Sequence, residues 1–286
     1  MNFEFIESDS NKRIKRIEKL LKSKKKRYEE GVFIAEGKRL VKESLDRGYV
    51  EEIYVSNSFY EAEIKEGEAS FYFEDISLEN VPEENKALNI DKIYVVKDKI
   101  YKKISETVNS QGIMSITRMP SCDENELYSL AKDKENAFIV ALDGVNDPGN
   151  LGTIIRSSLG AGVHMIIMSK DTVDIFNPKV VRATMGAIYD LPFIYVDSLK
   201  EVLIKLKDRG VNIYNTLPKA DFKYYNVDYT KKSLIVIGNE ANGITDEIKS
   251  LDVNSVTIPM EGGLESLNAG VAASIMLFEV MRQRNI

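Results

Sequence analysis

Residues 258–273 read IPMEGGLESLNAGVAA, and the fold turns on this stretch. Val256, Thr257 and Ile258 are β-branched and predict a strand, which Pro259 stops. Gly262 and Gly263 supply a turn, and the small residues that follow predict a helix. Ser266 has the chemistry of an N-cap, because its hydroxyl can accept from the free N–H groups of a first helical turn. Alone, the pattern suits an ordinary strand–turn–helix connection as well as a binding loop, where glycine lets a backbone approach a ligand closely.

Two further stretches repeat it. Residues 234–244, LIVIGNEANGI, are an apolar strand ending in a glycine-bounded polar loop with one carboxylate, Glu240. Residues 137–142, AFIVAL, are a clean apolar strand followed by DGVNDPGNLG and a helix expected over 153–159. If Asn150 caps that helix, Arg156 falls within its first two turns and reaches back over the loop. Other strands are expected at 165–168, 191–195 and 211–215, with helices at 179–185, 199–207 and 245–251. Alternating strands and helices imply a mostly parallel sheet covered on both faces. In such sheets ligands bind beyond the C-terminal strand ends. The dinucleotide fingerprint G-x-G-x-x-G and the phosphate loop G-x-x-x-x-G-K-[ST] are both absent.

The first half reads as a smaller α/β unit. Residues 11–29 predict one basic amphipathic helix with Ile14, Ile17, Leu20 and Leu21 on one face. Its lysines and arginines suit a solvated face or a phosphate-contacting one equally. Strands follow at 32–35, 52–55, 70–73, 93–96 and 113–117, with helices at 39–47 and 98–108. Residues 64–90 are acidic and irregular. We divide the chain into domains at 1–118 and 136–286, joined by a polar linker, 119–135, with a helical turn or two.

Composition bounds the function. The chain has 286 residues, 43% hydrophobic and 29% charged, with a net charge of −6, so any nucleic-acid surface must be local. No apolar run is long enough to span a bilayer, and the N-terminus lacks a signal-peptide core. Cys122 is the single cysteine, which fits a reducing cytoplasm. His164 is the single histidine; it reads as structural, and its solitude argues against a histidine metal site or a Ser–His pair. No metal is expected. The last helix, 267–283, is apolar almost all round, so it needs burial in the core or in a partner; we expect a homodimer.

Together the three stretches NDPGNLGTIIRSSLGAG, IVIGNEANGI and IPMEGGLESLNAGVAA resemble motifs 1, 2 and 3 of the SpoU (TrmH-like) class of the SPOUT methyltransferases, in order and with similar spacing. NPKVVRATMGA, residues 177–187, resembles the family between motifs 1 and 2. Ala269 stands where a β-branched residue is common. Phe33, Glu36-Gly37 and Ser110-Gln111-Gly112-Ile113 carry a weaker resemblance to an L30e-like substrate-binding domain, in which the stretch 64–90 is longer than usual.

The resemblance implies an α/β fold with an L30e-like α/β domain before a C-terminal α/β-knot, a trefoil knot on a mostly parallel sheet. Periodicity alone would suggest an unknotted sheet. It implies transfer of a methyl group from S-adenosylmethionine to a ribose 2′-hydroxyl of RNA, with ribosomal RNA of the 23S type favoured over transfer RNA. It assigns Asn150, Arg156, Glu240, Ser266 and Asn268 to catalysis. Thr216, Leu217, Gly238, Asn239, Ile258, Met260 and Leu267 fall to the cofactor, and Gln111, Lys179 and Arg182 to RNA. Because the donor is an activated sulfonium, the reaction is an in-line displacement that depends on positioning and dryness. Arginine is a poor base, so Arg156 reads as a cation that lowers the hydroxyl's pKa and grips the neighbouring phosphate. The competing readings are a non-catalytic RNA- or ribosome-binding protein on the same fold and, more distantly, a nicotinamide enzyme.

Overall fold

The computed structural model describes residues 2–65, 92–120 and 122–285. The expected strand at 70–73 and most of the acidic stretch lie outside them. The chain forms two compact units, Met1–Pro120 with Phe176–Tyr189, and Ser121–Ile175 with Asp190–Ile286.

In the first unit, β1 (Asn2–Ile6), β2 (Val32–Glu36), β3 (Val50–Ser56), β4 (Lys92–Val96) and β5 (Ile113–Arg118) form one sheet in the order β1-β4-β3-β5-β2. β1, β4 and β3 run parallel, while β5 is antiparallel to both β3 and β2. Strand periodicity splits β4 between two layers. Tyr94 and Val96 pack with Ile14, Ile17 and Leu20 of α1 (Lys12–Lys22) and with Ile100 and Ile104 of a later helix, Asp98–Ile104. Ile93 and Val95 pack with Val41 and Leu45 of the helix Lys38–Asp46. Burying each such side chain contributes about 1.5–3 kcal/mol.

The single helix expected over 11–29 is two, α1 and α2 (Lys24–Glu30). Ser23 breaks it with extended dihedrals, returning its N–H to the Lys19 carbonyl while its hydroxyl accepts from Lys26 N–H at 3.2 Å. Ion pairs occupy much of the basic surface. Arg13 meets Glu52, and Arg16 meets Glu30, Glu51 and Glu52. Arg27 is buried and donates to the Leu20 carbonyl, capping the end of α1. We number the helices that follow α3 (Lys38–Asp46) and α4 (Asp98–Ile104).

The second unit opens with α5 (Glu124–Asp133), nearly three turns where the sequence predicts one or two. Asp123 caps it through Asn125 N–H and Glu126 N–H, and Leu127 and Ala131 enter the core. The sheet comprises β6 (Phe138–Asp143), β7 (Met165–Ser169), β8 (Phe193–Val196), β9 (Asn212–Thr216), β10 (Phe222–Lys223), β11 (Ser233–Gly238) and β12 (Asn254–Thr257). Its order is β10-β12-β9-β11-β6-β7-β8 and every pairing is parallel. All six residues of β6 are buried, as expected of a central strand covered on both faces. The remaining helices are α6 (Pro148–Gly160), α7 (Pro178–Thr184, in the first unit), α8 (Leu199–Lys207), α9 (Asp246–Lys249) and α10 (Ala269–Arg284). α10 lies against α6, with Ser157 and Ser274 hydroxyls 2.8 Å apart. It buries Ala273, Met276, Leu277 and Val280 but leaves Val271 and Phe278 exposed. No described helix is long and apolar enough to cross a membrane.

Candidate active site at the C-terminal strand ends

The loops after β6, β11 and β12 meet through side chains. Asp147, not Asn150, caps α6: its Oδ1 accepts from Asn150 N–H at 2.8 Å, and Pro148 follows as the first helical residue. Proline loses nothing there, because that N–H has no partner in a helix. Asn150 is thus inside the helix and free to point sideways. Its Nδ2 donates to Glu240 Oε1 at 2.9 Å, and its Oδ1 accepts from Asn268 Nδ2 at 2.8 Å.

Asn268 is in turn the cap of α10, accepting from Val271 N–H at 3.2 Å. The helix therefore starts two residues later than a Ser266 cap requires. Ser266 is exposed in the bend that precedes it. A serine and an asparagine two apart are equally competent caps; the bond that Asn268 donates to Asn150 favours the asparagine.

Glu240 also accepts from Asp147 N–H and Asn146 N–H, each at 3.1 Å. Burial pushes its carboxyl up, but the Asn150 amide and the loop N–H groups outweigh it and hold the acid below its ordinary range. An acid so held is a fixed anion that joins two loops, not a proton acceptor.

Asn239 gives Nδ2 to the Gly144 carbonyl at 2.7 Å and takes Ala241 N–H and Asn242 N–H on Oδ1 at 2.9 and 3.0 Å. A Cβ at Gly238 would lie 2.3 Å from the Gly243 carbonyl carbon and Ile244 nitrogen. Glycine at 238 is therefore required by the turn itself, before any ligand enters. Asp143, in register with Gly238, accepts Thr245 N–H.

Between β11 and β12, β9 ends in two polar side chains. Asn215 Oδ1 and Thr216 Oγ1 are buried without a partner. Sequence reading included Thr216 and passed over Asn215, whose signal was an asparagine inside an apolar strand. Leu217 N–H donates to the Val256 carbonyl at 2.9 Å. Ile258, Met260 and Leu267 are half-buried. Orphaned acceptors beside a glycine-bounded turn fit a polar cofactor with amino and hydroxyl groups such as S-adenosylmethionine.

Arg156 stands apart. It is exposed on the third turn of α6, and no described residue bonds to it. Thr153, Ser157 and Gly160 form the face toward α10, and Arg156 is one position round from them. In the first unit, Gln111 Oε1 accepts Lys38 N–H at 2.8 Å at the start of α3. Lys179 is exposed on α7, and Arg182 is half-buried with Nη1 unpartnered. Among the described residues no group of three metal-binding side chains assembles. His164 Nδ1 accepts Phe138 N–H at 2.9 Å, a structural bond.

Comparison with known proteins places these loops. A profile described as the SpoU rRNA Methylase family matches residues 137–278, and one described as an MRM3-like substrate binding domain matches residues 11–115. The 23S rRNA (guanosine(2553)-2′-O)-methyltransferase RlmP of Bacillus subtilis is 28% identical over 96% of this chain and 98% of its own. The 23S rRNA (guanosine-2′-O-)-methyltransferase RlmB of Coxiella burnetii is 35% identical over 74% of this chain and 84% of its own. The AdoMet-bound rRNA methyltransferase of Sinorhizobium meliloti has a TM-score of 0.78 at 28% identity, covering 98% of both chains. The chain belongs to the SpoU rRNA methylase family.

Proposed function

We propose that this chain transfers the methyl group of S-adenosylmethionine to a ribose 2′-hydroxyl of 23S-type ribosomal RNA, as a cytoplasmic homodimer. One observation carries the reading. The run from Glu240 through Asn150 to Asn268 ties together the three loops that bear the family's motifs. A relative that aligns over 96% of the chain is named as a 23S rRNA 2′-O-methyltransferase, which favours ribosomal over transfer RNA.

When bound, the cofactor supplies an already activated methyl on a sulfonium. The chain's own groups do the rest. Backbone at Gly238, Asn239, Ile258, Met260 and Leu267, with Thr216 and Leu217, holds the cofactor. Asn150, Ser266 and Asn268 orient the ribose, and Glu240 fixes Asn150. Arg156 is the cation that lowers the hydroxyl's pKa and grips the adjacent phosphate. No metal enters.

The dimer supplies what one chain lacks. Val271, Ile275 and Phe278 make an apolar stripe along α10, and the Phe278 ring lies 3.8 Å from where a Cβ on Gly160 of α6 would stand. Arg156 and the 37%-exposed Leu159 border it. A second copy on that stripe brings Arg156 out of bulk water and against a substrate. Residues 1–118 hold RNA, together with Lys179 and Arg182, and residues 136–286 carry the transfer on the knotted fold of the family. Mapping 2′-O-methyl groups in ribosomal and transfer RNA, with and without the protein, tests this: one 23S-type position should lose its methyl group. Loss only in transfer RNA, or nowhere, defeats the reading.

A further inference from the structure

Glu36, at the end of β2, is 7% exposed, and no cation among the described residues pairs with it. Burying an uncompensated carboxylate is costly. All the compensation comes from one loop, some seventy residues on. The Ser105 hydroxyl donates to Glu36 Oε1, as do the Thr107 hydroxyl at 2.8 Å and the Ser110 hydroxyl at 3.1 Å. Glu106 N–H donates to Oε2 at 3.1 Å. Glu36 thus gathers four donors of one loop around its two oxygens.

The far end of the loop is fixed as well. Gln111 sits on the first N–H of α3, and Gly112 has φ +76 with Ser56 and Phe59 packed where a Cβ would be. Between these anchors, Val108 is 102% exposed and Asn109 is exposed. A valine side chain standing fully in water does nothing for the fold. Lys97, Lys99 and Lys102 lie exposed on the chain leading into the loop, a local excess of positive charge, while the exposed Lys103 is paired with Asp9.

We infer that residues 105–112 form a preformed RNA finger. Val108 packs on an unstacked nucleobase, the neighbouring lysines take the flanking phosphates, and Glu36 is the positioning residue that keeps the finger in shape. RNA read at unpaired bases offers such a face. A preformed loop avoids the ordering cost of binding. The inference rests on the ribosomal-RNA reading above.

The test uses the full chain, a 23S-type RNA fragment and S-adenosylmethionine. Val108→Ser has no packing to lose, so thermal stability should stay unchanged. KM for RNA should rise about tenfold, the scale of burying one valine, with kcat and cofactor affinity unchanged. Glu36→Gln keeps the size but puts an amide donor among donors; it too should raise KM for RNA and spare kcat. Glu36→Asp, which keeps the acceptors, should recover part of the loss. Val108→Ser should add little on top of Glu36→Gln, because the finger is already out of shape. A Val108→Ser protein with the wild-type KM overturns the inference, and so do full multiplicative effects in the double variant. If Glu36→Gln fails to fold, Val108→Ser still decides. Wild-type protein that neither binds nor methylates ribosomal RNA removes both readings, whereas active wild type with a silent Val108→Ser removes this one alone.

Discussion

A ribose 2′-hydroxyl is a very weak acid, and a cation beside it makes its deprotonation less costly. Arg156 is the one cation that the motif 1 helix offers, and its charge meets no described carboxylate. Arg156→Ala should therefore leave cofactor affinity intact and cut single-turnover methylation by roughly 10²–10³, the scale for removing one charge-stabilising donor. Arg156→Lys keeps the charge and loses the planar fork; little rescue means bidentate gripping matters, and much rescue means a cation suffices. Wild-type turnover by Arg156→Ala at saturating cofactor and RNA would remove the assignment. His164 gives a second test at this scale, one of stability. Burial, then Lys134 and Arg284, pushes its pKa down to about 4. A depressed pKa means that the unfolded chain binds the proton first. Stability is thus fully present above the ordinary value of about 6.5 and is lost as pH falls toward 4. His164→Asn keeps an acceptor for Phe138 N–H but does not titrate. Melting temperatures measured from pH 7 to pH 4.5 should fall less in the variant than in wild type, and parallel curves would refute the account.

At the scale of elements, α10 shows what sequence does and does not determine. Its apolar composition was plain, but which face would stay uncovered was not. Burial of Ala273, Met276, Leu277 and Val280 is set by where α6 and the sheet lie, and so Val271 and Phe278 are left outside. A stripe of that kind is a docking surface in waiting. Phe278→Asp, which exposes no core, should convert a sedimenting dimer into a monomer and abolish methylation while leaving the chain folded. A wild-type monomer at micromolar concentration would sink the dimer. Most strands and the three strand-end loops were legible because apolar runs bounded by glycine, proline and asparagine admit few readings; β1 and the two-residue β10 were not read as strands. The side chains that the loops bring together, Asn150, Glu240 and Asn268, had all been singled out. Cap positions were not legible: Asp147 against Asn150, and Asn268 against Ser266, are decided by contacts between loops some ninety to 118 residues apart. The loop around Glu36 shares that cause, with partners some seventy residues apart, whereas the break at Ser23 is held by bonds within seven residues.

For the whole molecule, charge is the property that composition misstates. A chain of net −6 should repel RNA, yet residues 12–27 hold ten lysines and arginines against one acid, Glu18. Structure then sorts these cations. Arg13, Arg16 and Arg27 are committed to carboxylates or to a helix end. Lys12, Lys19 and Lys22 are exposed, and no described carboxylate pairs with them. The solvated-face reading is thus excluded for the paired arginines, and the phosphate-contacting one stays open for the exposed lysines. Phosphate contacts release counterions, so RNA affinity should fall steeply with salt, with a log–log slope of about 0.7–0.9 per phosphate neutralised. Replacing Lys19 and Lys22 by glutamine should weaken binding and make that slope shallower by about 1 to 2. Val108→Ser, which removes an apolar contact and no charge, should weaken binding at an unchanged slope. Titrating wild type and both variants against one RNA at several salt concentrations separates the two kinds of contact. A lysine variant with the wild-type slope would mean that this face of α1 meets solvent and not RNA.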